Sequence, residues 1–428
     1  MRLTLKPTQA GSPFSGWRMV FIAFLSYNCA TGLISGFSGT LLPILQKDFG
    51  ASRGSTSMMF GMEYLAVGLF APIAGNLLRK HSLRKLMTVS SLMGAIGFVA
   101  LAFVNSLNLV ILIYGAVLGA TVSILGVLFP PTLINRWFVH GAGKALGLGT
   151  MPLFMLIAPP MAAALVELGG RRLAFLTLAG IFALLAVIAR LVVNSPEDVG
   201  QKALWNYVDE VATAGERSTA SRELSACEFF GDSRFWCLAL AIGLLNCTGI
   251  IFVSQGTSLA MSRGLDLTAA STLVSGYGAG ALVGSSMFGW LIDKAGPLRA
   301  LVVCLAAEAA LWFALSEVSS LPALITVSAF IGVGHGAILA LHSAVMNRMY
   351  GERNFSRAMG YGYTLKIPFL FGAAPLAGYL FDITGSYWST LLFCSGAVAV
   401  ATIFAALLVV DRRNRIAENA SVPINVLQ

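Results

Sequence analysis

Charge is what this sequence has least of. Acidic and basic side chains together make up 11% of its 428 residues, against about 25% in an ordinary soluble domain. Hydrophobic residues account for 57%, and the mean hydropathy is +0.80. A soluble protein of this composition could not cover its surface, so most of the chain must face lipid. The net charge of +9 would suggest a nucleic-acid partner in a soluble protein; here its placement matters more than its sum. Paired cysteines are also missing. Cys29, Cys227, Cys237, Cys247, Cys304 and Cys394 are scattered, mostly in apolar runs, and form no C-x-x-C. They read as small buried hydrophobes, which argues against a disulfide frame or a metal site. No small-residue cleavage site follows a short apolar core at the N-terminus, so no removable signal peptide is expected.

What is present is apolar sequence in stretches of about 20 residues, the length that crosses a bilayer as a helix. There are twelve: 17–45, 54–78, 85–104, 108–134, 144–167, 173–193, 235–261, 267–292, 299–316, 321–346, 357–381 and 387–410. The 45 glycines suit close helix packing in lipid. With both termini cytoplasmic, 22 of the 28 lysines and arginines fall on that side. Only Lys47, Arg53, Arg171, Arg172 and Arg263 fall on the other. This asymmetry predicts the orientation. The one basic residue left over, Lys366, lies deep inside a span.

The stretch from Asn194 to Arg234 is the only long polar segment. It reads as a cytoplasmic linker, with room for a short amphipathic helix from Trp205 to Val211. The expected organisation is a six-helix bundle over 1–193, the linker over 194–234, and a second six-helix bundle over 235–428. The halves repeat. Asn135-Arg136-Trp137-Phe138 and Lys144-Ala145-Leu146-Gly147 recur as Asn347-Arg348-Met349-Tyr350 and Arg357-Ala358-Met359-Gly360, displaced by 212 and 213 residues. A second pair, from Gly75 and from Gly289, is displaced by 214.

These residues resemble the major facilitator superfamily. Asp293, Lys294, Gly296 and Arg299, set after Gly289, resemble its short cytoplasmic loop motif, while the first-half copy has Arg79 at the acidic position and Ser82 at the glycine position. Within the superfamily, "GWRMVFIAFLSYNCATGLISGFSG", "NRWFVHGAGKALGLG" and "PLAGYLFDITGSYW" resemble the monocarboxylate transporter and oxalate–formate antiporter branch. The resemblance implies an all-α polytopic membrane protein, with twelve helices in two pseudo-symmetric six-helix bundles around a central cavity. Each side would reach the cavity in turn as the bundles rock. It also implies a conformational latch made of Asp293, Lys294, Arg299, Arg136 and Arg348. Family members commonly carry an arginine in span 8; here Gly284 or Ser285 stands at that place.

An ammonium at mid-membrane costs about 2.5–3.5 kcal/mol on insertion scales, so Lys366 needs a role. Counted from the shared A-x-G, it corresponds to Leu153 in span 5, so the fold itself does not require a cation there. It is either a cavity lysine that holds an anion, as in the antiporters this branch resembles, or half of a structural pair with a buried acid such as Glu63. Glu63, in span 2, reads as a proton site, as that partner, or as a packing residue. Glu308, in span 9, reads as structural. His335 and His342 are seven apart in span 10 and share a face. His335 is a candidate for substrate binding and for proton coupling, or else it bonds a neighbouring helix. Two histidines without a third ligand do not make a metal site. Tyr27, Asn28, Asn246, Tyr277, Tyr361 and Tyr363 are candidate donors to a carboxylate.

The function expected is a secondary carrier for a small organic anion, a monocarboxylate above all, working by exchange or proton symport. The alternative is efflux of a lipophilic cation or drug through Glu63 and Glu308. A membrane enzyme or receptor ranks below both, because the loops hold no nucleophile–base set, phosphate loop or metal cluster. No cofactor, metal or nucleic acid is implied. The expected partners are a small carboxylate, a proton and the bilayer, for a monomer in the cell (inner) membrane.

Overall fold

In lipid, backbone N–H and C=O groups find no water, and helices satisfy them within each segment. The computed structural model describes residues 15–138, 142–200 and 224–421, and the regular elements among them are helices. The expected linker helix at Trp205–Val211 lies outside the described residues.

Ten segments are long and apolar enough to cross a membrane. One of these, Ala145–Leu191, is two helices joined at Gly169 and Gly170, where φ leaves the helical range at −158° and +66°. The helix Leu267–Ala295 supplies another crossing. Among the described residues the spans are thus Gly16–Phe49, Arg53–Lys80, Leu83–Phe103 and Leu107–Trp137 (spans 1 to 4), with spans 5 and 6 within Ala145–Leu191. Spans 7 to 12 are Ser233–Ser262, Leu267–Ala295, Pro297–Glu317, Leu321–Gly351, Arg357–Thr384 and Trp388–Val410. The starts follow local chemistry. The hydroxyls of Ser52 and Ser82 and the carboxylate of Asp266 accept backbone N–H groups at the heads of spans 2, 3 and 8. Pro297 opens span 9 after Gly296, whose φ is +83°.

Span 5 departs from the unbroken helix expected over 144–167. Its first part ends at Gly149, and helix resumes at Phe154. Pro152 explains the gap: it has no N–H and disfavours helical geometry at Met151. Span 1 repairs the freed backbone. The Asn28 amide donates to the Met151 carbonyl at 2.9 Å and accepts from the Phe154 N–H at 2.8 Å. Asn28 begins a π-helical turn, Asn28–Leu33, and span 4 carries two more at Tyr114–Gly119 and Ser123–Leu128. Such turns shift the register of one face against the next.

Spans 8 and 10 approach most closely. A Cβ at Gly280, Gly284, Gly332 or Gly336 would lie 1.8–2.1 Å from a backbone oxygen of the other helix, so only glycine allows this crossing.

Among the described residues, twelve crossings put Gly16, residues 192–200 and 224–232 and the end of span 12 on one face, here called the basic face. The two halves meet on the opposite, far face. There Asp382, at the end of span 11, accepts the backbone N–H groups of Arg53 and Gly54 at the head of span 2, at 3.0 and 2.8 Å. The Arg53 guanidinium sits 3.4 Å from the centre of the Phe381 ring. Gln255 of span 7 donates to Ser57 of span 2 at 2.7 Å and accepts from Tyr387 at 2.8 Å. Gly278 of span 8 lies against the span 5 backbone at Met155. Toward the basic face the helices part. A Cβ at Gly75, Gly147, Gly289 or Gly360, in spans 2, 5, 8 and 11, would meet nothing within 4 Å.

Candidate functional site

Span 11 is continuous through Lys366, and the lysine is 2% exposed. An ammonium there must find partners in protein. Its Nζ lies 3.1 Å from Nδ1 of His342 on span 10. It also lies 4.0 Å from the centre of the Tyr363 ring, one turn earlier on its own helix. His342 is fully buried, and its ring meets Tyr363 edge-on with 5.9 Å between centres. Among the described residues no carboxylate lies within 4 Å of the Lys366 nitrogen. The pairing with Glu63 that the sequence left open is therefore not made.

Local sequence builds this arrangement. Gly351, at φ +70°, turns the chain from span 10 into span 11. Gly362 leaves room for the imidazole, since a Cβ there would stand 3.3 Å from His342 Nε2. Because an ammonium only donates, His342 Nδ1 must accept and the ring proton must sit on Nε2. That Nε2 is buried without a partner. Tyr363 is 45% exposed, so the site reaches open space across its ring.

The sequence marks His342 only by its seven-residue spacing from His335 and gives it no binding role. The shared face breaks down because a turn at Ala337 interrupts span 10 between the two. His335 belongs to a different cluster. Its Nδ1 is 2.9 Å from Glu308 Oε1 of span 9, and its Nε2 is 3.0 Å from the Leu245 carbonyl of span 7. Tyr277 packs beside it, stacked on Phe252 at 4.9 Å. Both nitrogens of His335 are thus engaged, and the cluster ties spans 7, 8, 9 and 10 together.

The other candidates divide in the same way. Tyr27 of span 1 lies near Tyr64 of its own half and near Tyr363 of span 11. Asn28 is fully engaged at the span 5 break, so it offers no free donor to a carboxylate. Asn246 donates to the Ile242 carbonyl of its own helix at 2.8 Å. Tyr361 sits under the basic face among Phe229 and Phe230, at 5.7 and 5.5 Å, away from Lys366's partners. Glu63 is 2% exposed, packs against the π-turn of span 4 at Gly119, and has an Oε2 with no hydrogen-bond partner.

A model of the Major Facilitator Superfamily matches residues 19–266 and 237–424. The chain belongs to the Major Facilitator Superfamily. As a member of that superfamily it is a multi-pass membrane transporter and not an enzyme. It is 24% identical to monocarboxylate transporter 12 of Rattus norvegicus, over 95% of this chain and 89% of that protein. It is also 24% identical to monocarboxylate transporter 2 of Mesocricetus auratus, over 90% and 82%. A solved structure of a bacterial homologue of the human lysosomal transporter Spinster, inward-facing and occupied, superposes with a TM-score of 0.69 at 16% identity. That match covers 94% of this chain and 98% of the other.

Two superfamily features can be placed on this geometry. Of the two positions that match the span 8 arginine, Gly284 is filled by span 10, since its Cβ would lie 1.9 Å from the Val333 carbonyl, while Ser285 is exposed. Of the residues expected to form a latch, Arg136 donates to the Leu78 carbonyl at 3.1 Å and Lys294 lies over Trp290 at 4.8 Å. The Arg348 guanidinium lies against Gly296, and Arg299 is exposed. Arg136 and Arg348 each lie against a residue of their own half. The side chain of Asp293 lies outside the described residues.

Proposed function

We propose that this transporter carries a small organic anion, a monocarboxylate, by alternating access, and that Lys366 pairs with the carboxylate. The supporting observation is a lysine at mid-span that is 2% exposed, with His342 and Tyr363 as its partners among the described residues. A cation buried beside a neutral imidazole and a ring lacks the counter-charge that would make closure cheap, and an anion supplies it. One deep cation suits one carboxylate. The curated relatives named as monocarboxylate transporters point the same way. Tyr363 forms the exposed side of the site, and Tyr27 faces it from the first half.

The two bundles, 1–193 and 235–428, rock about this place with both termini cytoplasmic in the cell membrane, as a monomer. Flux runs as exchange or as proton symport. For symport, Glu63 is the better proton carrier, because it has an unpartnered oxygen while His335 is engaged by Glu308. The same pairing weakens the reading of cation efflux, which needs both Glu63 and Glu308 as free acids.

The test is uptake of radiolabelled lactate, pyruvate, acetate and oxalate into liposomes preloaded with unlabelled acid. Lys366→Ala should abolish exchange. Wild-type rates in that variant would end the pairing proposal, and export of a lipophilic cation that tolerates Lys366→Ala but not Glu63→Gln would favour efflux.

A further inference from the structure

Lys366 does not point bare into the open side of the molecule. It is 2% exposed, and its nitrogen rests on a histidine that is itself wholly buried. The histidine has one acceptor and one donor. The acceptor, Nδ1, is occupied by Lys366; the donor, Nε2, is buried against Gly362 and bonded to nothing. A carrier that wanted only an exposed cation would gain nothing from this acceptor. Nor does the fold demand it: the first-half position corresponding to His342 is Pro130, and the one corresponding to Lys366 is Leu153.

We propose that His342 is the positioning residue that holds the Lys366 ammonium while the carrier is empty. This rests on the anion-carrier reading of the same site. Its Nδ1 stands in for the cargo oxygen, and cargo binds by taking Nζ away from it. No proton need move. One N–H···N hydrogen bond opens, an N–H···O bond to the carboxylate forms, and the imidazole stays neutral throughout. The imidazole thereby sets how readily the unloaded carrier turns over. With Nζ held, the empty protein closes at a higher cost than the loaded one but at a lower cost than it would with the ammonium unpartnered, so it can still reorient slowly. Without a resident acceptor it would bury an ammonium with no hydrogen-bond partner, and it could reorient only when loaded.

The experiment measures two rates on the same proteoliposomes with the labelled carboxylate that gives wild-type exchange. Net uptake into empty vesicles requires the unloaded carrier to return; exchange against internal acid does not. His342→Phe and His342→Leu remove the acceptor and should lower the ratio of net uptake to exchange roughly tenfold, the size of one hydrogen bond to a charged group. His342→Asn keeps an acceptor oxygen near the Nδ1 position and should restore the ratio. A merely structural role would depress both rates together. An unchanged ratio in Phe and Leu, or an Asn variant as impaired as they are, overturns the proposal. Histidine ¹⁵N NMR on the empty wild-type protein is independent of any cargo. His342 should show an acceptor-type Nδ1 that changes on Lys366→Met, and a spectrum indifferent to that substitution also overturns it. Absence of carboxylate exchange by wild type, with the NMR result as expected, would instead refute the anion reading alone.

Discussion

The hairpin of spans 4 and 5 and that of spans 10 and 11 descend from one pattern, repeated at 212–213 residues, yet they spend their irregularities differently. In the first, Pro152 breaks the helix beside Leu153, and Asn28 closes the break with two hydrogen bonds to backbone. In the second, helix runs unbroken through the matching position, where Lys366 is held by His342. One hairpin uses a neutral amide to mend its backbone; the other uses an imidazole to hold a charge. The lesson is that the repeat fixes the path of the backbone, while the individual residue decides whether a place holds a broken helix or a buried charge.

That comparison can be broken at several points. The largest effect is expected at Lys366. Lys366→Ala should reduce carboxylate exchange at least about 100-fold, since the paired ammonium is lost in a low-dielectric site. Placing the lysine in the other hairpin, as Leu153→Lys with Lys366→Ala, should not restore exchange, because position 153 lies exposed at the span 5 break and does not enclose a charge as position 366 does. Recovery of exchange in liposomes would show that the two hairpins are interchangeable.

Next comes the Glu308–His335 cluster. Glu308→Ala should destabilise the protein by about 3–5 kcal/mol, the cost of breaking a buried pair from one side. The fraction that folds should still exchange. Thermal unfolding in detergent, beside exchange per folded molecule, separates the two, and selective loss of exchange would move His335 back into the cargo site. Asn28→Ala should cost about 2–4 kcal/mol through two backbone groups left unpaired at the span 5 break. Asn28→Asp keeps only the acceptor and should fall between. If Asn28→Ala unfolds like wild type, the amide is not what mends span 5.

The smallest effect lies outside the membrane, at Asp232, where the short helix Ala226–Gly231 joins span 7. Burial raises its carboxyl, but hydrogen bonds and charge from Arg234, with a hydrogen bond from the Tyr350 hydroxyl, outweigh that and hold it below its ordinary 3.8. A depressed carboxyl stabilises the folded state above that ordinary value and loses its contribution as pH falls through the folded one. Asp232→Asn should therefore lower the unfolding temperature slightly at neutral pH and leave no difference in strong acid.

Much of this architecture was legible in the chain. Apolar length gives the spans, and scarcity of charge inside them singles out Lys366, Glu63, Glu308 and the histidines. What escaped the sequence were partnerships between helices. His342 and Lys366 are 24 residues apart and meet only because Gly351 turns the chain and Gly362 admits the ring. His335 and His342 looked like one face because helical periodicity assumes an unbroken helix, which the turn at Ala337 denies. Asn28 reads as a free amide until Pro152 is seen to need it. Pro152 itself, visible from the start, was the signal that span 5 would break.

Asp382 has a consequence for how the molecule lets go of itself. It caps the head of a helix in the opposite half through main-chain N–H groups, at an exposed place. When that contact parts, water can solvate the carboxylate and both amides at once, so separation strands nothing dry. A fastening of this kind aligns the two halves without gluing them, and its undoing should be quick, reversible and only mildly sensitive to salt.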